Sequence, residues 1–181
     1  MAERCALLLR AVNVSGHNRV PMAELRTLLA SRPGLTNVTT YIASGNIICD
    51  EPADLLAACD VVRRAIHDAF DVDTPVIART HAELVRAVEA DPFPDAPLDN
   101  MVHAMFLEGD ASADAVEQLS VRLLPGERVV LIGRELWIDY GASGAGATKL
   151  TRAVLDRALG TSGTARNRTT VRKLVELTTA R

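Results

Sequence analysis

The chain has 181 residues, 48% of them hydrophobic and 24% charged, with a formal net charge of −3 at pH 7. This is the balance of a globular protein of one domain or two small ones, and at this length roughly 70% of the unfolded surface is buried on folding without a disulfide or metal staple. The charge argues against a globally basic nucleic-acid coat or a polybasic membrane binder, and no apolar run approaches the ~20 residues that span a bilayer. The start, Met1-Ala2-Glu3-Arg4, has no basic n-region, and Arg10 interrupts the apolar run behind it. No signal peptide is expected, and a cytoplasmic location is.

Residues 5–12 (CALLLRAV) form an apolar run of strand length. A polar loop follows through Asn13, Gly16, His17 and Asn18, and Pro21 suits the first position of a helix because it has no N–H to leave unpaired. Met22, Leu25, Leu28 and Leu29 share one face of that helix, which Pro33-Gly34 ends. Residues 38–42 (VTTYI) are β-branched and aromatic, Ser44-Gly45-Asn46 makes a turn, and Ile47-Ile48-Cys49 returns as the second arm of a hairpin. Asp50 and Pro52 mark the start of the next helix, whose stripe runs Leu55, Cys59, Val62, Ile66, Phe70. Residues 74–78 close the unit as a strand. Thr80-His81-Ala82-Glu83 is a capping box for a linking helix with Leu84, Val85 and Val88 inward, and residues 91–100, with three prolines, read as a linker.

The same order then recurs. Residues 101–107 are a strand, 113–123 a helix with Val116 and Leu119 inward, and 129–132 with 136–138 a hairpin over Gly133-Arg134. Residues 148–159 form a helix closed by Gly160, a short strand lies near 162–165, and a last helix spans about 169–179 with Val171, Leu174 and Val175 inward. The fold class is α+β: two ferredoxin-like βαββαβ halves, a duplication that rests on element order, with an extra linking helix and a C-terminal helix. The halves are expected at 1–79 and 101–181, joined through 80–100. The first strand of each half is apolar on both faces, so the sheet face without helices is expected to be buried on the other half, the extra helices or another subunit.

Cys5, Cys49 and Cys59 sit among apolar residues without C-x-x-C spacing and read as buried reduced thiols. The four histidines are far apart, so no metal site is expected, and no cofactor motif stands out. Chemistry concentrates in two places. In a ferredoxin-like sheet the end of the first strand meets the turn between the second and third, which would gather Arg10, Asn13, Gly16 and Asn18 with Ser44, Gly45 and Asn46 beside the Pro21 helix start. Free N–H groups and a partial positive charge there suit a phosphate or carboxylate. The alternative is that these residues only build turns and caps. The second place is the loop 141–149, where Gly141 and Gly146 have P-loop spacing but Ala147 follows instead of lysine. That departure argues against a nucleotide triphosphate site and leaves a weaker anion site of Thr148, Lys149, Arg166 and Asn167. Arg166, Arg168, Arg172 and Lys173 form a local basic stretch that reads as a solvated helix surface.

The segment CALLLRAVNVSGHNRVPMAELRTLL with the hairpin NVTTYIASGNIICD resembles the domain of unknown function 1697 family, whose pattern runs L-R-G-I-N-V-G-G, a Pro-Met helix start, then T-Y-I-Q-S-G-N-V. The matches are Leu9, Arg10, Asn13, Val14, Gly16, Pro21, Met22, Thr40, Tyr41, Ile42, Ser44, Gly45 and Asn46. Residues 164–171 resemble its T-x-R-N-W-x-T-V segment. Ala11 and Ser15 replace glycines, Ala43 a glutamine and Arg168 a tryptophan. The resemblance implies the duplicated ferredoxin-like fold and no particular activity. The favoured function is binding of a small anionic ligand, with or without catalysis. A nucleic-acid partner is disfavoured by the 3% aromatic content and the missing RNP1 pattern. A regulatory or scaffold homodimer with no catalytic activity needs no special residue and stays open.

Overall fold

The computed structural model describes residues 2–14 and 16–180; Ser15 of the first loop lies outside them. The chain divides into two compact units, Met1–Leu84 with Leu174–Arg181, and Val85–Lys173. In the first, β1 (Arg4–Leu9), α1 (Met22–Ala30), β2 (Thr39–Tyr41), β3 (Asn46–Asp50), α2 (Leu55–Phe70) and β4 (Val76–Thr80) follow one another. After α3 (His81–Glu89), the second repeats the order as β5 (Val102–Leu107), α4 (Ala115–Ser120), β6 (Arg128–Ile132), β7 (Glu135–Asp139), α5 (Arg152–Leu159) and β8 (Gly163–Asn167), and α6 (Arg168–Thr178) ends the chain. The sheets are ordered β2-β3-β1-β4 and β6-β7-β5-β8, antiparallel throughout. This is the duplicated βαββαβ arrangement that the element order predicts.

The duplication extends to single residues. Ala6 of β1 stands opposite Arg79 of β4, and Ala104 of β5 opposite Arg166 of β8. Both arginines are buried, and each Nη1 donates to the carbonyl of the residue before it, 2.9 Å to Ala78 and 2.8 Å to Ala165. In each half the next residue caps a helix. The Thr80 Oγ1 accepts from the Glu83 N–H (3.2 Å) while the Glu83 carboxylate accepts from the Thr80 N–H (2.8 Å), a complete capping box. The Asn167 Oδ1 accepts from the Thr170 N–H at 2.8 Å.

In the first unit Cys5, Leu7, Leu9, Ile47 and Cys49 pack with Leu25 and Leu29 of α1 and Cys59, Val62 and Ile66 of α2. In the second, Met105, Leu107, Leu136 and Ile138 pack with Leu119 of α4 and Leu155 and Leu159 of α5. The opposite faces of β1 and β5 are withdrawn from water as well: Ala6, Leu8, Ala104 and Phe106 are each fully buried. Some boundaries differ from the sequence reading. Helix α2 begins at Leu55 with Asp54 as its cap, the Oδ1 accepting from the Ala57 N–H (3.0 Å), so Asp50 belongs to β3 and Pro52 precedes the helix. Helix α4 is shorter than expected and buries Ala115 with Leu119, leaving Val116 half-buried. In α3, Ala87 is buried with Leu84, while Val85 and Val88 are half-buried.

Residues 91–100 belong to the second unit and are strapped down by charge. Asp91 and Asp99 meet Arg168 at 2.7 and 2.9 Å, and Asp99 also meets Arg172 at 2.5 Å. Asp95 meets Arg128 at 2.9 Å, and Arg128 in turn pairs with the buried Asp139 at 2.7 Å and lies 4.6 Å over the ring of Phe93. The Arg168 guanidinium also donates to the Phe93 carbonyl. The basic stretch is therefore not a solvated surface at its start, because Arg168 is buried and its charge is spent on this segment. Removing one member of such a buried pair costs about 3–5 kcal/mol, the loss expected for Arg168→Ala by chemical denaturation. The hydrogen bond from Arg168, with the charge of Arg172 beside it, holds the Asp99 carboxyl below the ordinary range. A depressed carboxylate contributes stability that is complete above its unfolded value of about 3.9 and is lost as pH falls through the lower folded value. Stability should thus fall less steeply between pH 5 and pH 3 in Arg168→Gln than in the wild type. Equal slopes would contradict this role for the pair.

Candidate functional site

The loop edge of the first unit is set by the register of its central strands. Leu8 of β1 faces Asn46 of β3, so the chain leaving β1 emerges beside the turn entering β3. The Leu9 N–H donates to the Gly45 carbonyl at 2.8 Å. Gly45 has φ +81°, and a Cβ there would stand 2.7 Å from the Leu9 Cβ and 2.8 Å from a Val12 methyl, so a side chain is excluded by both conformation and space.

Asn13 ties three segments together. Its Nδ2 donates to the Val20 carbonyl (2.9 Å) and the Ala43 carbonyl (2.8 Å), and its Oδ1 accepts from the Val20 N–H (2.9 Å). Its backbone N–H donates to the Asn18 carbonyl at 3.0 Å. Asn18 returns a side-chain bond to the Ala11 carbonyl at 3.1 Å. Asn46 is fully buried and donates to the Tyr41 carbonyl (3.0 Å) and the Ser44 hydroxyl (3.1 Å). At Arg10 the Thr74 hydroxyl donates to the carbonyl (2.6 Å) and accepts from the N–H (3.1 Å). The amides of Asn13, Asn18 and Asn46 thus hold the edge in shape. Within it Ala11, Asn13, Asn18 and Ile42 adopt left-handed φ between 48° and 54°, and Gly16 and Gly45 about 80°.

Around this scaffold Arg10 and Ser44 are half-buried, while Gly16, His17, Asn18 and Arg19 are exposed. Val14 and Ile42 expose about half of their surface. Helix α1 follows the loop directly, with Pro21 as its cap residue, which offers no side-chain bond to the first turn. Asn13, Asn18, Gly45 and Asn46 of the first cluster thus share one braced loop edge. Its asparagines hold the backbone, and Val14, His17, Arg19 and Ile42 are exposed.

At the second cluster the helix start differs from the sequence reading. Helix α5 begins at Arg152 with Thr151 as its cap, so Lys149 lies in the loop before the cap rather than at a helix start. Lys149 is exposed, and the Thr148 hydroxyl accepts from the Leu150 N–H at 3.1 Å. Leu150 packs on the α4–α5 side with Met105. Arg166 alternates to the other side: it stands opposite Ala104 on β5, while its neighbour Ala165 stands opposite Met105. The Arg166 guanidinium donates to the Thr164 hydroxyl at 2.8 Å, and burial lowers its pKa to about 10, so it stays charged at neutral pH. Asn167 is occupied in capping α6. Strand alternation therefore puts Arg166 on the Ala104 face of its sheet, opposite the face on which Leu150 packs.

A cleft of about 430 Å³ at the far end of the first sheet, lined by Ala2, Arg4, Asn37, Val38, Thr39 and Asp50, had no signal in the sequence. Its polar groups satisfy each other. Arg4 donates to the carbonyls of Leu177 (2.9 Å) and Asn37 (3.0 Å), and Asp50 accepts from Thr36 (2.9 Å) and Asn37 (2.6 Å).

Asn13→Ala leaves the Val20 N–H and two carbonyls without their partner and puts an alanine at φ +54°. An unsatisfied buried group costs about 1–3 kcal/mol. The expected loss in urea unfolding is therefore about 2–4 kcal/mol, and a loss below about 0.5 kcal/mol, the range of plain surface substitutions, would contradict the clamp.

Comparison with known proteins agrees with this architecture. A family model described as a protein of unknown function (DUF1697) matches residues 1–137. The solved structure of the conserved bacterial protein SP0830 from Streptococcus pneumoniae is similar over 98% of this chain and 99% of its own, with a TM-score of 0.75 and 22% identity. No curated protein matches the chain.

Proposed function

The chain belongs to the DUF1697 family, proteins of unknown function, and from its own geometry we propose that it binds a small anion, phosphate- or carboxylate-bearing, at the loop edge of the first unit. One observation carries the reading: two loops are braced against each other by Asn13, Asn46 and Gly45 while Ala11 and Ile42 are held in left-handed backbone. Such conformations cost of order 1–3 kcal/mol each, persist only where neighbours enforce them, and concentrate at ligand sites. Arg10, His17 and Arg19 lie on the loop that leads into α1, and Ser44 lies on the turn bonded to that loop through Asn13, which supports an anion site there. Preorganised cations and N–H groups suit an anion because little ordering is left to be done on binding.

Thermal unfolding with inorganic phosphate, pyrophosphate and a series of di- and tricarboxylates tests it. At ~100 times its dissociation constant a ligand adds about 2.7 kcal/mol to stability, and the effect should shrink with added salt. The shift should disappear in the double variant Arg10→Gln, Arg19→Gln and persist in Lys149→Ala. No shift in the wild type with any of these anions, or an equal shift in the double variant, would overturn the reading.

A further inference from the structure

Two of the three cysteines, 44 positions apart in the chain, are brought into register by the first sheet. Cys5 of β1 stands directly opposite Cys49 of β3, with the two Sγ atoms 3.7 Å apart. The flanking bonds, Leu9 N–H to Gly45 and Glu51 N–H to Glu3, fall on the same alternate pairs of the ladder, so Cys5 and Cys49 form a hydrogen-bonded pair. The Cα separation of such a pair is about 5.5 Å, inside the ~4.4–6.8 Å window of disulfides. We propose that Cys5 and Cys49 are a cross-strand oxidation site that a hydroperoxide converts to a reversible disulfide.

The two thiols share one hydrogen bond that either can donate. The Arg4 cation favours the thiolate at Cys49, which makes Cys49 the attacking sulfur and Cys5 the resolving one. The thiolate is the reactive form. Cys49 attacks one oxygen of hydrogen peroxide; the S–O bond forms, the O–O bond breaks, and the departing hydroxide takes up the proton Cys49 gave up and becomes water. The Cys5 sulfur then attacks the Cys49 sulfenic acid; the S–S bond forms, the S–O bond breaks, and the hydroxyl leaves with the Cys5 proton as a second water. Two thiols lose two electrons to one peroxide. Both side chains are fully buried, which favours a water-sized oxidant. Cys59, in the same apolar cluster on α2, is not part of the pair.

The test is peroxide treatment of the folded protein, acid quenching, alkylation and peptide mapping. Alkylatable thiols should fall from three to one, with Cys59 the one retained, a Cys5–Cys49 linked peptide 2 Da lighter than its two reduced parts, and full recovery with dithiothreitol. Cys59→Ala should still form the link, and Cys5→Ser should instead carry a Cys49 sulfenic acid trapped by dimedone. Three thiols still alkylatable after prolonged excess peroxide, a link that includes Cys59, or stepwise oxidation to sulfinic acid without a link would overturn the proposal. Should Cys5→Ser fail to fold, mapping of the wild type and of Cys59→Ala decides the matter by itself.

Discussion

The first unit depends on a single primary amide. The Asn13 side chain uses both its donor hydrogens and its acceptor oxygen on backbone groups, and so joins the exit of β1, the entry to α1 and the turn between β2 and β3. Asparagine is suited to this because it combines donor and acceptor on a short side chain and tolerates the left-handed backbone found here. The neighbouring Gly45 completes the junction from the other side by allowing the turn to close on Leu9 and Val12. Ala11 shows the cost of departing from the family pattern. It stands where the pattern has glycine, and its φ of +51° is one that a Cβ disfavours by roughly 1–2 kcal/mol.

The two halves solve the same packing problem with little shared sequence. Each begins with a strand whose two faces are both apolar. Each closes its sheet with a strand whose last but one residue is a buried arginine and whose last residue caps the next helix. What differs is the use of charge. In the second unit the aspartates at 91, 95 and 99 fasten a proline-rich segment to Arg128 and Arg168. The clamp uses an arginine at the position where the family pattern carries tryptophan. In the first unit the comparable fastening is done by neutral amides at the loop edge.

Periodicity in the sequence is enough to read the strands, the helices and their repetition, because burial of one face imposes periods of 2 and 3.6 that local composition preserves. It also brings Asn13 and Asn46 to the same edge, since the strand order follows from βαββαβ. Which acceptors those amides reach is not legible, and so a turn-builder and a ligand-binder look alike. Helix starts are missed by a few residues where several capping types cluster, as with Asp50, Pro52 and Asp54. Lys149 is misplaced for the same reason, since Thr148 and Thr151 are both plausible caps. Buried arginines are the least legible feature. Arg166 and Arg168 read as part of a solvated basic stretch, nothing in the local sequence marks Arg4 or Arg79, and only long-range partners such as Leu177 for Arg4 or Asp91 for Arg168 reveal them as interior. The pairing of Cys5 with Cys49 is invisible for a similar reason, because register, not spacing, makes it.

Native-state hydrogen exchange at three amides tests most directly whether the loop edge is a built part of the first unit. The N–H groups of Leu9, Asn13 and Val20 are bonded to Gly45, Asn18 and the Asn13 side chain. Built into the fold, they exchange only through large-scale opening, with protection approaching that of the strand amides of Leu7 and Ile47. Exchange of all three at the rates of an open surface loop, while Leu7 and Ile47 stay protected, would show that the edge is not braced and would contradict the account.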